Sequence, residues 1–129
     1  MGFSFFGSNA DLSSDPSDLW IKLSTLDGLE KIVSDSNTNP QIIFKHSTRC
    51  IISRISLNNF EEDWKTENEK VSLHLLDLLQ FREVSNKISI LLGVHHQSPQ
   101  LIVLDKGEVM LHRSHQSIDA KEVNSLLKG

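Results

Sequence analysis

The sequence predicts an α/β fold in three layers, in which helices cover both faces of one mixed central sheet. Two patterns lead to this prediction. Short apolar runs of strand length alternate with segments whose apolar residues recur at helical spacing, which is typical of parallel strands joined by helices. Near the C-terminal end, two such runs flank a tight turn, which adds an antiparallel hairpin. The chain has 129 residues, and this length fits a single folded domain.

Composition divides the chain at about residue 18. Residues 1–18 are rich in Ser, Asp, Asn and Gly, and they are predicted to form a flexible arm. Residues 19–129 are predicted to form one folded domain. The sequence shows no internal repeat and indicates no second domain.

The first strand, the first helix and the second strand are predicted in that order. The first strand is predicted at residues 19–23. Ser24 is predicted to cap the helix that follows, with Asp27 completing a capping box. The apolar residues of this helix recur at helical spacing: Leu26, Leu29, Ile32 and Val33. After a polar segment, residues 41–45 form a short apolar run, which is typical of a strand buried on both faces.

The second helix and the third strand continue the alternation. Ser47 and Thr48 are N-cap candidates for a helix that runs to about Trp64. The inward face of this helix is predicted to carry Ile51, Ile55, Phe60 and Trp64. Residues 71–79 then predict a third strand. The next helix is amphipathic, and its apolar residues are Val84, Ile88, Leu91 and Leu92.

Two strands and one helix complete the predicted domain. Residues 101–104 and 109–111 predict strands joined by the turn 105–108. Asp119 is predicted to cap the last helix, with Glu122 as its capping-box partner. The resulting order, β-α-β-α-β-α-β-β-α, is the element order of a thioredoxin-like fold.

Composition and charge argue against several functional classes. The net charge is −4, and acidic and basic residues are interspersed, so the sequence offers no basic stripe for nucleic acid. No apolar run approaches the ~20 residues that span a bilayer. The apolar start of the chain lacks the basic flank of a secretory signal. We therefore expect a cytoplasmic protein that binds neither nucleic acid nor a membrane.

Cys50 is the only cysteine in the sequence. A single cysteine excludes an internal disulfide and fits a reducing compartment, so any disulfide chemistry must be intermolecular. Cys50 follows the second strand at a predicted helix start, where unpaired N–H groups and the helix dipole favour a thiolate. Arg49, Lys45 and Arg54 add positive potential. The sequence thus predicts a reactive thiol at Cys50, and the alternative is a cysteine that is only packed in the core.

Two further features belong to this predicted site. Ser53 stands three residues after Cys50, where dithiol oxidoreductases carry a second cysteine. A serine there can donate a hydrogen bond to the thiolate but cannot attack it, or it is an ordinary helix residue. Pro99 follows Ser98 directly before a strand predicted to lie beside the strand of Cys50. A cis bond there would expose the Ser98 backbone to an extended substrate.

The histidines raise the alternative of a metal site. His46 lies four residues before Cys50, and His96 is expected on the neighbouring loop. Structural zinc usually takes four ligands with clustered spacing, and one cysteine with scattered histidines does not form that pattern. No metal site is therefore predicted, and His46 and His96 are assigned to electrostatic tuning of the thiol.

These residues and motifs resemble the monothiol bacilliredoxin family, the bacillithiol-system redox proteins of the YtxJ type. The resemblance lies mainly in the runs Ile43–Cys50, Ile51–Ser53 and Gly93–Gln100, and it extends from Leu19 to Lys128. The segment Phe-Lys-His-Ser-Thr-x-Cys together with His-x-Ser-Pro-Gln is more specific than either motif alone.

The resemblance implies a thioredoxin-like fold and an oxidoreductase that removes a low-molecular-weight thiol from protein mixed disulfides. It implies that Cys50 is the reactive cysteine, that Ser53 is the serine of a Cys-x-x-Ser motif, and that Pro99 is cis. Bacillithiol or a similar small thiol would be a co-substrate, and no bound cofactor is expected. S-thiolated client proteins would be the partners of a monomer or weak dimer.

The candidate site residues are therefore assigned in three groups. Catalysis is assigned to Cys50; tuning of the thiolate to Arg49, Lys45, His46 and Ser53; substrate binding to Thr48, His96, Ser98 and Pro99. One departure from the family is Ile51, where the family usually has proline. Proline at a first helical position presets φ and lacks an N–H, so the redox potential cannot be carried over to this chain.

Two alternatives to the redox prediction stay open at the level of the sequence. One is a non-catalytic thioredoxin-like module that binds a protein partner, with Cys50 only packed. The other is a metal-handling protein that uses Cys50 with His46 and His96.

Overall fold

The computed structural model describes residues 18–65 and 70–128. The arm predicted at residues 1–18 lies, apart from Asp18, outside the described residues. The strands are β1 (Ile21–Leu23), β2 (Gln41–His46), β3 (Ser72–Asp77), β4 (Gln100–Asp105) and β5 (Glu108–Ser114). The helices are α1 (Leu26–Asp35), α2 (Ile51–Asp63), α3 (Arg82–Leu92) and α4 (Ala120–Lys128), with a short 3₁₀ helix at His115–Ser117 before α4. The predicted order of strands and helices is confirmed.

The five strands form one mixed sheet in the order β1-β3-β2-β4-β5. β1, β3 and β2 are parallel, whereas β4 runs antiparallel to β2 and β5 antiparallel to β4. β2 therefore lies at the centre. Its last residue, His46, pairs with Asp77 at the end of β3, and Lys45 pairs with Gln100 at the start of β4. The segment that leads to Cys50 thus leaves the sheet between the end of β3 and the start of β4.

Two apolar clusters, one on each face of the sheet, hold the helices. The cluster under α2 and α4 contains Trp20, Ile42, Phe44, Leu57, Phe60, Trp64, Leu73, Leu101, Val103, Ala120 and Val123. The cluster under α1 and α3 contains Leu23, Leu29, Ile32, Ile43, Leu76, Leu78, Val84, Ile88, Val94, Ile102 and Leu104. Because helices cover both of its faces, β2 is buried along its whole length, as its continuous apolar run predicts.

Four aromatic rings join α2 to the sheet. Phe60 is 1% exposed, and its ring is stacked on Trp64 with centroids 5.5 Å apart. The same ring lies edge-on to Phe44 of β2 at 6.2 Å and tilted against Trp20 at 5.7 Å. Offset and edge-to-face pairs at these distances are favourable beyond the area they bury. This cluster fixes α2, and therefore its N-terminal end, against the centre of the sheet.

The cap of α1 differs from the prediction by one residue. Thr25, and not Ser24, is the N-cap, and its Oγ1 accepts the Gly28 N–H at 2.9 Å. The reason is the phase of the apolar face, since Leu26 already belongs to the first helical turn. Asp27 consequently occupies the second helical position, where it does not form the predicted capping box.

The predicted inward face of α2 is wrong in its first two turns. Ile51 is 69% exposed and Ile55 is 53% exposed. The buried face instead carries Ser53, Leu57 and Phe60, with Trp64 following at the C-cap. These four positions follow the spacing i, i+4, i+7 and i+11 of one helix face. Ile51 and Ile55 lie about 200° away from Ser53 and Leu57 around the helix.

The later elements follow the prediction with two differences. In α3, Val84 and Ile88 are buried, but Leu91 is 43% exposed. Asp119 caps α4 through Oδ1, which accepts the Lys121 N–H at 2.9 Å. The carboxylate of Glu122 is bound in an ion pair by Arg113 of β5, with a shortest distance of 2.8 Å, and so does not act as the predicted capping-box partner.

The hairpin between β4 and β5 has a two-residue turn with positive φ at both positions. Lys106 has φ 55° and Gly107 has φ 78°, as a type I′ turn requires. The turn is also bound to the end of α1. The buried Ser36 accepts the Lys106 N–H at its carbonyl at 2.7 Å and the Gly107 N–H at its Oγ at 2.9 Å. In residues 18–65 and 70–128, no helix combines the length and hydropathy needed to cross a membrane.

Candidate active site

Cys50 lies at the junction between a tight turn and α2. Its N–H donates to the Ser47 carbonyl at 3.1 Å, which closes the turn after β2, and its own carbonyl accepts the Arg54 N–H at 3.1 Å. Cys50 itself is the N-cap, so the predicted caps Ser47 and Thr48 are wrong. The side chain of Cys50 forms no capping hydrogen bond within residues 18–65 and 70–128. The sulfur of Cys50 therefore belongs to the end of α2 at which the first N–H groups favour negative charge.

The thiol of Cys50 is partly exposed. Cys50 is thus not enclosed in the core. Arg49 and Thr48 form the exposed corner of the turn. Arg49 directly precedes Cys50 in the sequence, and its cationic side chain is exposed. A sulfur in this setting can be reached by a second molecule.

Ser53 is fully buried and is bonded to the turn rather than to Cys50. Its Oγ shares a hydrogen bond of 2.7 Å with Nδ1 of His46 and accepts the Ser47 N–H at 3.1 Å. Both partners belong to the segment between β2 and Cys50. Ser53 therefore ties the first turn of α2 back to the end of β2. The structure places this predicted tuning residue as a support of the turn that carries the sulfur.

His46 is buried beneath the same turn. Burial lowers the pKa of His46; Asp77 acts in the opposite direction, and Arg54 lowers the pKa further. Because this moves the pKa below its usual value near 6.5, the imidazole is neutral at neutral pH. A neutral ring has one donor and one acceptor nitrogen. Nδ1 can therefore either donate to the Ser53 hydroxyl or accept from it, depending on the tautomer.

Replacing Ser53 with alanine should destabilise the fold by about 1–3 kcal/mol, because Nδ1 of His46 would be left buried without a partner and the half-buried Ser47 N–H would lose its acceptor. Urea unfolding of both proteins measures this difference. Ser125→Ala is the matched control, since Ser125 is exposed on α4 and should change the stability by less than about 0.5 kcal/mol. Equal losses for the two variants would contradict the supporting role of Ser53.

Lys45 lies on the opposite face of the sheet from His46 and is fully buried. Its Nζ lies 2.7 Å from Nδ1 of His96 and donates to Oε1 of Gln100 at 3.0 Å. Gln100 in turn donates from Nε2 to the carbonyl of His95 at 3.0 Å. Lys45 thus connects β2 to the segment that leads into β4. Both of its side-chain hydrogen bonds among the described residues are with this segment.

The buried lysine has no carboxylate partner in residues 18–65 and 70–128, where the ion pairs are Lys31–Asp35 and Arg113–Glu122. Desolvation by burial accordingly lowers the pKa of Lys45 from 10.5 to about 8. The pKa of His96 is also lowered, first by burial and then by the positive charges of Lys45, His95 and Arg82. A neutral His96 can accept a hydrogen bond from the lysine.

The Ser98–Pro99 peptide bond is cis, as expected. Pro99 is buried, Ser98 is half-buried, and the carbonyl of Pro99 accepts the His115 N–H at 3.1 Å. Because Gln100 pairs with Lys45 across the antiparallel β2–β4 ladder, Pro99 lies level with His46 at the end of β2. The cis-proline segment therefore flanks the turn that carries Cys50 on the side of β4.

A cavity of about 220 Å³ flanks the same turn on the side of β3. It is lined by Trp20, Lys22, His46, Thr48, Leu57, Leu75, Asp77 and Gln80. Thr48 and His46 were predicted as site residues, whereas Lys22 and Gln80 were not. The charged residue Lys22 lies in the first strand, far from Cys50 in sequence, and no local motif marks it. Asp77 at a strand end was a detectable signal, because the ends of parallel strands meet at one edge of the sheet.

The predicted residues therefore fall into two groups around Cys50. His46, Thr48 and Ser53 belong to the turn, and Lys45 with His96 supports the cis-proline segment. Gln100, which bonds to both Lys45 and His95, was not predicted as a site residue; its position directly after Pro99 was the available signal. Among the described residues, no three His, Cys, Asp or Glu side chains are grouped so that they could hold a metal ion.

Comparisons with known proteins agree with this geometry. A family model described as monothiol bacilliredoxin BrxC matches residues 21–123. A solved structure described as that of a proposed oxidoreductase with a thioredoxin fold is 25% identical to this chain, with a TM-score of 0.73. The match covers 86% of this chain and 95% of that chain.

Two thioredoxins show the same architecture at lower identity. The thioredoxin of Trypanosoma brucei brucei is 13% identical, with a TM-score of 0.68, and the match covers 85% of this chain and 92% of that chain. The thioredoxin of Fasciola hepatica is 17% identical, with a TM-score of 0.64 and coverage of 83% and 95%. At these identities the likeness shows the fold alone. The predicted thioredoxin-like fold is confirmed.

Proposed function

Because this chain belongs to the monothiol bacilliredoxin family, as its sequence predicted, we propose that it is a monothiol thiol–disulfide oxidoreductase. Its substrate would be a protein mixed disulfide, from which it removes bacillithiol or a similar low-molecular-weight thiol. Family membership supports a thiol redox role. The observation that carries the finer proposal is the single cysteine, partly exposed at the N-cap of α2.

The proposed reaction is a pair of thiol–disulfide exchanges at Cys50. The thiolate attacks the sulfur of the small thiol within the mixed disulfide. The bond between the client and the small thiol breaks, a bond between Cys50 and the small thiol forms, and the client leaves as a thiolate that takes a proton from water. A second small-thiol molecule then attacks the adduct, releases a small-thiol disulfide and restores the Cys50 thiolate. Attacking and leaving thiol pKa values control both rates.

Two features of the site support this chemistry. The N–H groups at the start of α2 stabilise the Cys50 thiolate, both before it attacks the mixed disulfide and when it leaves the adduct. The half-buried Ser98 precedes a cis peptide bond beside the turn, and its backbone can pair with an extended client segment in the manner of strand addition. The reaction needs a small thiol as co-substrate and no bound cofactor.

The cellular setting follows from the same proposal. S-thiolated proteins would be the clients, the cytoplasm would be the compartment, and the chain would act as a monomer or weak dimer. With a single cysteine, each turnover needs a thiol from a second molecule, because no internal cysteine can resolve the adduct.

The test uses a client protein that carries one cysteine blocked by bacillithiol or glutathione. Intact-mass spectrometry at neutral pH should show the client losing the small thiol while this protein gains it at Cys50. With the Cys50→Ser variant, the client should lose the small thiol only at the uncatalysed rate. The Ser125→Ala variant should behave like the unsubstituted protein. Failure to form an adduct, or an equal rate with Cys50→Ser, would favour a non-catalytic binding module instead.

A further inference from the structure

The cavity flanks the turn that carries Cys50. Thr48 lines the cavity and stands two residues before Cys50. The Cα atoms of residues two positions apart in an extended chain lie at most about 7 Å from each other. The Ser47–Cys50 hydrogen bond closes a turn here, so Thr48 and Cys50 are closer than they would be in an extended chain. The lining residue Thr48 therefore lies within about 7 Å of Cys50, measured between Cα atoms, which is within the reach of a small molecule attached to the sulfur.

The cavity has the size of a small metabolite rather than of a peptide. Its volume is about 220 Å³. Drug-sized ligands occupy roughly 300–1,000 Å³. Trp20, Leu57 and Leu75 provide an apolar wall, and Trp20 is held in place by a 2.6 Å hydrogen bond from Nε1 to Glu61 of α2.

Opposite charges line the other wall of the cavity. Lys22 pairs with Leu75 across β1 and β3, and Asp77 follows two residues along the same face of β3. Strand geometry puts their Cα atoms about 8 Å apart. Lys22 and Asp77 form no ion pair with each other in the part of the chain that the structure describes.

Each charge is positioned by a neighbour and keeps bonding capacity for a ligand. Nζ of Lys22 lies 5.4 Å from the centroid of the Phe81 ring, a cation–π contact. Its N–H groups donate no hydrogen bond to the residues that the structure describes. Oδ1 of Asp77 accepts the N–H groups of Leu79 and Gln80 at 3.1 and 3.3 Å. The second oxygen of this carboxylate makes no hydrogen bond within residues 18–65 and 70–128.

We propose that this cavity binds the part of the small thiol that carries no sulfur, and that Lys22 and Asp77 select thiols bearing both a carboxylate and an amino group. This inference rests on the proposed function and adds to it the chemical class of the co-substrate. Lys22 receives the carboxylate and Asp77 receives the ammonium group. The neutral imidazole of His46, bonded to Ser53 through Nδ1, offers its other ring nitrogen to a polar group between them. The two residues act on binding, and Cys50 alone takes part in the exchange.

The test compares four small disulfides as probes of Cys50 adduct formation. Cystine is zwitterionic, cystamine is cationic, 3,3′-dithiodipropionate is anionic and 2-hydroxyethyl disulfide is neutral. Rates are measured by intact mass for each protein, and each rate is expressed relative to the neutral probe, which cancels the effect of a variant on the sulfur itself.

Lys22→Met should lower the relative rates of the two probes that carry carboxylates by about two- to fivefold, the upper part of the range for one exposed charge contact. Asp77→Asn should lower the relative rates of the two probes that carry amines by a similar factor. Asparagine keeps an oxygen for the Leu79 and Gln80 N–H groups, so the turn is preserved. Lys87→Met is the control, because Lys87 is exposed on α3 beyond the other face of the sheet.

The possible outcomes separate the pocket from the reaction. If Lys22→Met and Asp77→Asn each impair the probes of the matching charge while Lys87→Met changes none, the proposal is supported. If the probes add to Cys50 but neither Lys22→Met nor Asp77→Asn changes their relative rates, the pocket proposal is wrong and the proposed reaction stands. If none of the four probes adds to Cys50, the proposed function fails and the pocket proposal fails with it.

Discussion

Phe60→Ala should destabilise the fold by about 3–5 kcal/mol, the range observed when a buried Phe is truncated. Phe60 is 1% exposed, and its ring contacts those of Trp20, Phe44 and Trp64 at 5.5 to 6.2 Å. Truncation removes these pairs and leaves a cavity between α2 and the sheet. Because domains are stable by only about 5–15 kcal/mol, the loss should be evident in urea unfolding as a large decrease of the midpoint.

Ile55→Ala in the same helix is the matched control for this prediction. Ile55 is also a large apolar residue, but its side chain is 53% exposed, so its truncation should cost less than about 0.5 kcal/mol. A similar loss for Ile55→Ala and Phe60→Ala would mean that α2 is rotated from the orientation described above. A small loss for both would mean that the aromatic cluster does not hold the helix.

Lys45→Met should reduce the rise of stability with pH above neutrality. The pKa of Lys45 is lowered to about 8 in the folded chain from 10.5 in the unfolded chain. Between these two values the unfolded chain binds more protons than the folded chain, so stability increases as the pH rises. The increase from Lys45 alone should be about 2 kcal/mol between pH 7 and pH 10, because one unit of pKa difference corresponds to about 1.4 kcal/mol.

Urea unfolding at pH 7, 8, 9 and 10 measures this effect as the difference between the two proteins. Methionine has a similar length and no charge, so the variant lacks the titration while it still fills the space beside His96 and Gln100. Lys87→Met is the control, because Lys87 is exposed on α3 and also exchanges a lysine for methionine. Parallel profiles for Lys45→Met and the unsubstituted protein would show that Lys45 is charged and solvated in the fold.

The mixed sheet and the order of its elements along the chain could be predicted, because the strands are recognisable from local pattern. The run from Gln41 to Lys45 is apolar at each interior position, as expected for a strand that helices cover on both sides. The turn at Lys106 and Gly107 needs positive φ, and glycine supplies it at one position without strain. Pattern and turn chemistry together determine which strands are parallel and which form the hairpin.

The details of the site could not be predicted, because they depend on partners distant in sequence. Ser53 is buried because His46 and Ser47 supply its hydrogen bonds, whereas Ile51 and Ile55 are exposed although they are apolar. Lys45 ends an apolar run and would ordinarily mark the edge of a strand. It is buried because His96 and Gln100, more than 50 residues later, accept its hydrogen bonds.

The bonds between Ser36 and the β4–β5 turn have a practical consequence for protein engineering. Tips of hairpins usually tolerate inserted segments, epitope tags or new chain termini, because their backbone groups face solvent. Here the N–H groups of Lys106 and Gly107 both donate to Ser36, which is fully buried at the end of α1. An insertion between Lys106 and Gly107 would leave Ser36 with unsatisfied oxygens in the interior. Fusions and circular permutants are therefore better placed away from this hairpin.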